Sequence, residues 1–123
     1  MLLTFDFSSN TPLYLQLRNQ IVIGIAQGRL SPGEKLPTVR ALAEESGVNM
    51  MTVSKAYQLL AKEGYIVTDR RNGAVISGGA VSGGISEERM EELELHLAEL
   101  RLRGLSAEEI LILCRQLLEG LKT

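Results

Sequence analysis

Apolar residues recur at helical spacing in the first part of the chain. Four aliphatic side chains stand four residues apart: Leu13, Leu17, Ile21 and Ile25. This spacing places them on one face and predicts an amphipathic helix. Asn10 or Thr11 can cap that helix, with Pro12 in its first turn, where the missing N–H costs nothing. Gly28 ends the helix, and the turn residues of "LSPGEKLP" predict a loop after it.

Two shorter helices are predicted next, on either side of a glycine-containing turn. Thr38 and Asn49 can cap these helices, and Gly47 ends the first of them. The apolar face of the first helix consists of Val39, Leu42 and Ala43. The apolar positions of the second follow i, i+3, i+4, i+7 spacing: Val53, Ala56, Tyr57 and Leu60. Residues 38–63 therefore form a predicted helix-turn-helix.

A short β-hairpin is predicted after the second of these helices. "YIVTD" and "AVIS" are β-prone runs, and "RRNG" joins them. Asn72 and Gly73 can both adopt positive φ, so we expect a type I′ turn at the tip. Helix, helix-turn-helix and hairpin in this order make a winged helix-turn-helix domain over residues 1–77, with the wing at about 65–77. The predicted fold class is therefore α+β and mostly helical.

The rest of the chain is predicted to be a helical hairpin behind a flexible connection. "SGGAVSGG" is rich in Gly and Ser, which predicts a linker over residues 78–85 and a helical dimerisation region over residues 86–123. Two apolar stripes run along its helices: Met90, Leu93, Leu97 and Leu100, then Ile110, Leu113, Leu117 and Leu121. Further apolar residues lie off both stripes: Leu95, Leu102, Leu111 and Leu118. Because this surplus exceeds what one hairpin buries, we predict that two copies of the chain pair through it.

Charge and composition narrow the class of protein. Residues 1–77 hold eight Lys and Arg against six acidic residues, and residues 78–123 hold five against nine. This asymmetry favours a mildly basic working half and an acidic half that binds a partner. No apolar run approaches the roughly 20 residues of a membrane span, and the N-terminus lacks the features of a signal peptide. We therefore expect a cytoplasmic protein that does not associate with membranes.

The sequence contains no motif for catalysis or metal binding. A nucleophile–base pair, a metal-ligand spacing and a phosphate-cradling glycine loop are all missing, so we expect neither an enzyme nor a cofactor. His96 has no second His or Cys at ligand spacing. Cys114 lies in an apolar helix, where burial is a simpler interpretation than redox sensing.

The third predicted helix has an outward face opposite its apolar stripe, made of Met51, Ser54, Lys55, Gln58 and Lys62. One interpretation is an ordinary solvated face, because single exposed apolar residues are common. In a helix-turn-helix, however, the second helix enters the major groove with its N-terminal residues at the base edges. Thr52, Ser54 and Lys55 can donate hydrogen bonds to phosphates or to base acceptors. Met51 can pack against a thymine methyl group, whereas Met50 is expected at the domain edge.

The chain resembles the winged-helix domain of GntR-family bacterial transcription regulators. The resemblance rests on three ordered motifs: "PLYLQL", "GRLSPGEKLPTVRALA" and "GVNMMTVSKAYQLL". It covers residues 11 to about 77 and is more specific than one short motif. The short two-helix tail and "TVSKAY" resemble the YtrA subfamily, which implies a small dimeric repressor. Other subfamilies append a ligand-binding or aminotransferase-like domain, for which residues 78–123 are too few.

The resemblance also implies particular DNA contacts. Arg40 matches the family arginine at the start of the second helix, Thr52 the recognition-helix threonine, and Lys55 a subfamily lysine. Ala74 replaces a glycine of the family wing pattern, which leaves open whether the wing enters the minor groove. Simpler roles are that Arg40 pairs with Glu44 and that the wing arginines are ordinary turn residues. The predicted DNA-binding set is Arg40, Asn49, Met51, Thr52, Ser54, Lys55, Arg70, Arg71, Asn72 and Gly73.

These patterns predict a sequence-specific DNA-binding transcription regulator, and in particular a homodimeric repressor on a palindromic operator. Its partners would be double-stranded DNA and a second copy of the chain. An inducer could bind at the dimer cleft or at the hinge, although no residue cluster identifies one. Met50 and Met51 depart from the family pattern, so the resemblance implies no particular operator sequence. The alternative is a winged-helix module that binds protein without binding DNA, which the low positive charge favours slightly.

Overall fold

The computed structural model of the chain describes residues 3–78 and 83–121, and these belong to two separate compact units. The first unit holds residues 3–78 and the second holds residues 83–121. The predicted linker over residues 78–85 lies partly outside the described residues, as do the last two residues of the predicted dimerisation region. Among the described residues, no helix combines the length and the apolar character that a bilayer span requires.

The first unit is a helix, a helix-turn-helix and an antiparallel hairpin in chain order. Its elements are α1 (Leu13–Ala26), α2 (Val39–Ser46), α3 (Met50–Lys62), β1 (Ile66–Asp69) and β2 (Gly73–Ile76). The two strands pair from Ile66 with Ile76 down to Asp69 with Gly73. The loop before α2 also joins the sheet, because Lys35 forms a bridge with Val75. The predicted fold class, α+β with a winged helix-turn-helix, is confirmed.

One apolar core holds these elements together. In α1 the buried apolar side chains are Leu17 and Ile21, and the hairpin adds Ile66 and Ile76. The whole predicted apolar face of α3 is buried: Val53, Ala56, Tyr57 and Leu60. The Tyr57 hydroxyl donates a hydrogen bond to the Pro37 carbonyl at 2.8 Å, and burial raises the pKa of this phenol above its ordinary value. The inner side of α3 is therefore fixed against the domain.

The start of α1 differs from the prediction. Pro12 occupies the N-cap position, and neither Asn10 nor Thr11 provides a side-chain cap. The Gln16 side chain ties down the preceding segment instead, donating from Nε2 to the carbonyls of Thr11 at 2.8 Å and of Asp6 at 2.9 Å. Its Oε1 accepts from the Asp6 N–H at 2.9 Å. A side chain from inside the helix thus orders the segment that was expected to supply the cap.

The predicted type I′ turn at the hairpin tip is wrong. The loop has three residues between Asp69 and Gly73, and of the described residues only glycines have positive φ. Gly73 adopts φ +69°, while Asn72 does not cross to positive φ. The reason is the Asp69 carboxylate, which accepts hydrogen bonds from the backbone N–H groups of Arg71 and Asn72. Hairpin loops of three to five residues are the next most common after two-residue turns.

The second unit is a pair of helices, α4 (Glu87–Leu102) and α5 (Ala107–Glu119). A capping box starts α5, with Ser106 Oγ accepting from the Glu109 N–H and the Glu109 carboxylate accepting from the Ser106 N–H. Gly104 adopts φ +99° after α4, and the Leu105 N–H donates to the Leu100 carbonyl at 3.2 Å. This is the Schellman arrangement, which ends a helix and turns the chain.

The apolar stripes of the second unit are mostly uncovered within one chain. α4 has no buried residue, and Ile110 is the buried residue of α5. Leu97, Leu100 and Leu113 are half-buried, whereas Met90, Leu93, Leu117 and Leu121 are exposed. The helix α5 ends at Glu119, so Leu121 lies beyond it. The prediction that Leu121 continues the helical stripe is therefore wrong.

Candidate nucleic-acid interface

The N-terminal end of α3 is exposed and held by its cap. Asn49 Oδ1 accepts a hydrogen bond from the Met51 N–H at 2.7 Å, which satisfies one of the N–H groups that every helix start leaves unpaired. Met51 is 79% exposed and Met50 is 47% exposed. These exposures agree with the predicted faces, with Met51 outward and Met50 at the edge of the domain.

Polar groups lie beside the two methionines on the same helix. Lys55 is exposed, and Thr52 and Ser54 are half-buried. Ser54 Oγ accepts a hydrogen bond from Gln58 Nε2 at 3.2 Å. The Lys55 ammonium lies 4.1 Å from the centre of the Tyr14 ring, within the range of a cation–π contact. The exposed face of α3 therefore offers hydrogen-bond donors, the ammonium groups of Lys55 and Lys62, and the apolar side chain of Met51.

Two open depressions flank this exposed face of α3. The first has a volume of about 850 Å³ and lies between α3 and the start of α1, where Pro12, Leu13 and Tyr14 line it. The second has a volume of about 510 Å³ and is lined by residues of α2, α3 and the hairpin. Ser54 and Gln58 line both depressions. A ligand lying along α3 would therefore also meet α1 on one side and the wing on the other.

Arg40 is the second residue of α2, and its side chain is exposed. The predicted cap of this helix is present, since Thr38 Oγ1 accepts from the Ala41 N–H at 3.1 Å. The proposed pairing of Arg40 with Glu44 is not among the ion pairs of the described residues. The guanidinium of Arg40 is thus exposed and forms no ion pair with a carboxylate of the described residues.

The wing tip is a small, positively charged loop. Arg70, Arg71, Asn72 and Gly73 are all exposed. Asp69 organises this loop, and the hydrogen bond from the Asn72 N–H holds the pKa of its carboxyl below the ordinary value. The loop therefore keeps one backbone shape while both arginine side chains face solvent.

An ion pair that the sequence did not predict fixes α1 against the end of α3. Arg18 Nε lies 2.8 Å from Glu63 Oε1, and Arg18 Nη2 donates to Glu63 Oε2 at 2.9 Å. The guanidinium also lies 5.6 Å from the centre of the Tyr65 ring. Arg18 is only 9% exposed. Its partner lies 45 residues away along the chain, so no local spacing in the sequence indicated the pair.

The residues considered for metal or redox chemistry belong to the second unit. His96 is exposed on α4, with its Nδ1 3.7 Å from Glu99 Oε1. Cys114 is half-buried in α5. The part of the chain that the structure describes contains no group of three or more His, Cys, Asp and Glu side chains that could hold a metal ion.

Comparison with known families identifies the first unit. The sequence profile of "Bacterial regulatory proteins, gntR family" matches residues 13–76, from the first residue of α1 to the last residue of β2. The chain belongs to the GntR family. It is a DNA-binding transcription regulator, and the match covers α1, the helix-turn-helix and the wing.

Two curated GntR relatives extend the similarity beyond the winged helix. The HTH-type transcriptional regulator YhcF of Bacillus subtilis is 33% identical over 120 residues, which cover 96% of this chain and 93% of that protein. The HTH-type transcriptional repressor YtrA of the same species is 38% identical over 99 residues, covering 80% and 75% of the two chains. The GntR regulator described here is therefore YtrA-like.

Solved structures of similar chains include a complex with operator DNA. A transcriptional antiterminator from Listeria monocytogenes EGD-e aligns with TM-score 0.78 and 30% identity, covering 100% of this chain and 97% of that one. YtrA from Sulfolobus acidocaldarius, a GntR-family transcription factor, aligns with TM-score 0.58 and 36% identity, covering 95% and 97%. AraR(DBD) in complex with operator ORX1 aligns with TM-score 0.55 and 26% identity, covering 63% and 96%. Double-stranded DNA is the partner that these GntR similarities support.

Proposed function

We propose that this GntR regulator is a homodimeric repressor that reads a palindromic operator with the exposed face of α3. The observation that carries the proposal is the contrast between the two sides of this helix. Its inner side is fully buried, whereas Met51 at its start is 79% exposed and Lys55 projects into solvent. A helix held on one side and open on the other can lie in a major groove.

The residues of the proposed DNA interface have two roles according to their chemistry. Lys35, Lys55 and Arg70 supply contacts to phosphates, which give affinity without sequence information. Contacts to bases, or the register of the protein along the DNA, come from Arg40, Met51, Thr52 and Ser54. Met51 is suited to a thymine methyl group, the apolar feature of the major groove. The wing residues Arg70, Arg71, Asn72 and Gly73 reach the flanking DNA.

The homodimer is supported by the apolar surface of the second unit. α4 buries none of its residues within one chain, and Leu102, Leu111, Leu117 and Leu118 are each more than 60% exposed. A monomer rarely leaves so many large apolar side chains in water unless they form an interface. Pairing through this region would place two recognition helices on half-sites about one helical turn apart.

Repression is supported by a relative and by the architecture. The 38% identical YtrA of Bacillus subtilis is named a transcriptional repressor. A dimer that occupies its operator excludes other proteins from the same DNA. The protein would act in the cytoplasm, where the bacterial chromosome lies, and it requires no catalytic group for this role.

Selection of DNA from a random duplex library by the full chain tests the proposal. We expect a palindromic sequence to be enriched and its affinity to fall steeply as salt increases, because phosphate contacts release counterions. Enrichment of no sequence would contradict the proposal, and so would an affinity independent of salt. Either result would favour the alternative, a winged-helix module that binds protein and not DNA.

A further inference from the structure

We infer that Tyr14 is a positioning residue for Lys55, so that the start of α1 takes part in DNA recognition by α3. The inference rests on the proposed role of Lys55 at the DNA, and it concerns a residue outside the predicted DNA-binding set. The observation is a contact between two helices, in which Lys55 Nζ lies 4.1 Å from the centre of the Tyr14 ring.

The contact matters because a lysine side chain is flexible. Its four-carbon stem loses conformational freedom when the ammonium binds a phosphate, and this loss of entropy weakens the binding of the ammonium to the phosphate. Lys55 is exposed, and no carboxylate among the described residues pairs with it. The Tyr14 ring is therefore the group that restrains it before DNA binds. The ring covers one side of the ammonium, and the donors on the other sides remain available to phosphate oxygens.

Tyr14 is well placed to act as a rigid support. Its ring is half-buried and packs against the core, while α1 itself is anchored by Leu17 and by the Arg18–Glu63 pair at the far end of α3. The Tyr14 hydroxyl makes no hydrogen bond to another described residue. The ring rather than the hydroxyl is thus the part of the side chain that contacts Lys55, and both residues line the depression between α1 and α3.

A double-mutant cycle on operator DNA tests the inference with the full chain. Tyr14→Leu should weaken binding of the selected operator about two- to fivefold, the effect of losing one exposed cation–π contact. The same change in a Lys55→Ala background should produce no further loss. Tyr14→Phe retains the ring and should bind as tightly as the natural chain. If Tyr14→Leu does not fold, Tyr14→Met enters the same cycle with the same expected coupling.

Two controls separate positioning from a general structural role. Tyr65→Leu removes the other tyrosine–cation contact and should show no coupling to Lys55→Ala. In NMR spectra of the DNA-free protein, the side-chain protons next to the Lys55 ammonium should lie upfield in the natural chain and in Tyr14→Phe, and should lose that shift in Tyr14→Leu.

The outcomes also distinguish this inference from the proposed function. If the natural chain binds its operator but the effects of Tyr14→Leu and Lys55→Ala add, the positioning role is overturned while DNA recognition stands. An equal loss in Tyr14→Phe and Tyr14→Leu would also overturn it, because the hydroxyl would then be the active group. If the natural chain shows no sequence-specific binding, both proposals fail together.

Discussion

At the scale of single residues, charges on the exposed surface of α2 and α3 can be removed without disturbing the core. Arg40→Ala should cost about 1 to 3 kcal/mol of operator-binding free energy, as for the loss of one good base contact. Lys55→Ala should reduce the slope of log affinity against log salt by about 1, because one phosphate contact disappears. Fluorescence anisotropy at several salt concentrations measures both effects.

The matched control for these variants is Arg29→Ala, which removes an exposed charge of the same unit outside the predicted site. It should leave operator affinity nearly unchanged. Arg29→Ala and Arg40→Ala should keep the melting temperature of the natural chain, and Lys55→Ala should lower it only slightly, because it loses the contact with the Tyr14 ring. An equal loss of affinity in the control would mean that net charge, not position, controls binding. A large fall in the melting temperature of Arg40→Ala or Lys55→Ala would contradict the assignment of these residues to the exposed face.

Substitution of Arg18 should lower the stability of the fold, in contrast to the substitutions of Arg40 and Lys55, which should lower DNA binding. Its guanidinium is largely buried and paired with Glu63 through two short contacts. Removing one partner leaves a poorly solvated charge, so Arg18→Ala should lower the free energy of unfolding by about 2 to 4 kcal/mol. Urea unfolding measures the change. A loss as small as that of an exposed charge substitution, such as Arg29→Ala, would show that the pair does not anchor α1.

At the scale of the elements, local patterns in the sequence predicted where the helices lie. They did not predict which residues of different helices contact each other. The inner face of α3 could be read from Val53, Ala56, Tyr57 and Leu60 because helical periodicity is a property of neighbouring residues. The caps at Thr38, Asn49 and Ser106 are equally local, and all three are present.

The contacts that the sequence did not reveal join residues far apart in the chain. Arg18 with Glu63 and Tyr14 with Lys55 both connect α1 to α3, and only the folded chain brings them together. The hairpin turn was mispredicted for another reason. Asn72 and Gly73 suit a two-residue turn, but the Asp69 carboxylate binds the loop backbone and favours three residues.

The wing offers a prediction about pH. Because the folded-state pKa of Asp69 is depressed, its carboxylate stabilises the turn at neutral pH, and this support is lost as the pH falls through the folded-state pKa. NMR titration of the backbone N–H shifts of Arg71 and Asn72 should therefore give a midpoint below the ordinary value of 3.8. Asp69→Ala should remove this titration. A midpoint at or above 3.8 would show that the carboxylate does not hold the loop.

At the scale of the whole molecule, two copies of the chain are expected to pair through the stripes of α4 and α5. Leu93→Glu combined with Leu117→Glu places charges in the proposed interface and should produce a monomer, as measured by sedimentation equilibrium. Val67→Glu places a charge on an exposed apolar residue of the first unit, outside the proposed interface, and should leave the dimer intact. A dimer that survives the double change would show that the second unit pairs through a different surface.

The monomeric variant should also lose operator affinity, since each winged helix would then bind its half-site alone. Its fold should persist, because neither leucine is buried within one chain. Circular dichroism checks the helix content alongside the binding measurement. If a monomer binds the operator with unchanged affinity, the two recognition helices of a dimer do not bind the two halves of a palindrome together.

Methylation interference on the selected operator, measured with the full chain, tests whether the exposed face of α3 reads the major groove. Dimethyl sulfate modifies guanine N7 in the major groove and adenine N3 in the minor groove, so one reagent reports on both grooves. We expect interference at guanine N7 in two symmetric segments about one helical turn apart, where the two copies of α3 lie. Interference restricted to adenine N3, or none in the major groove, would contradict the claim that the exposed face of α3 reads the DNA.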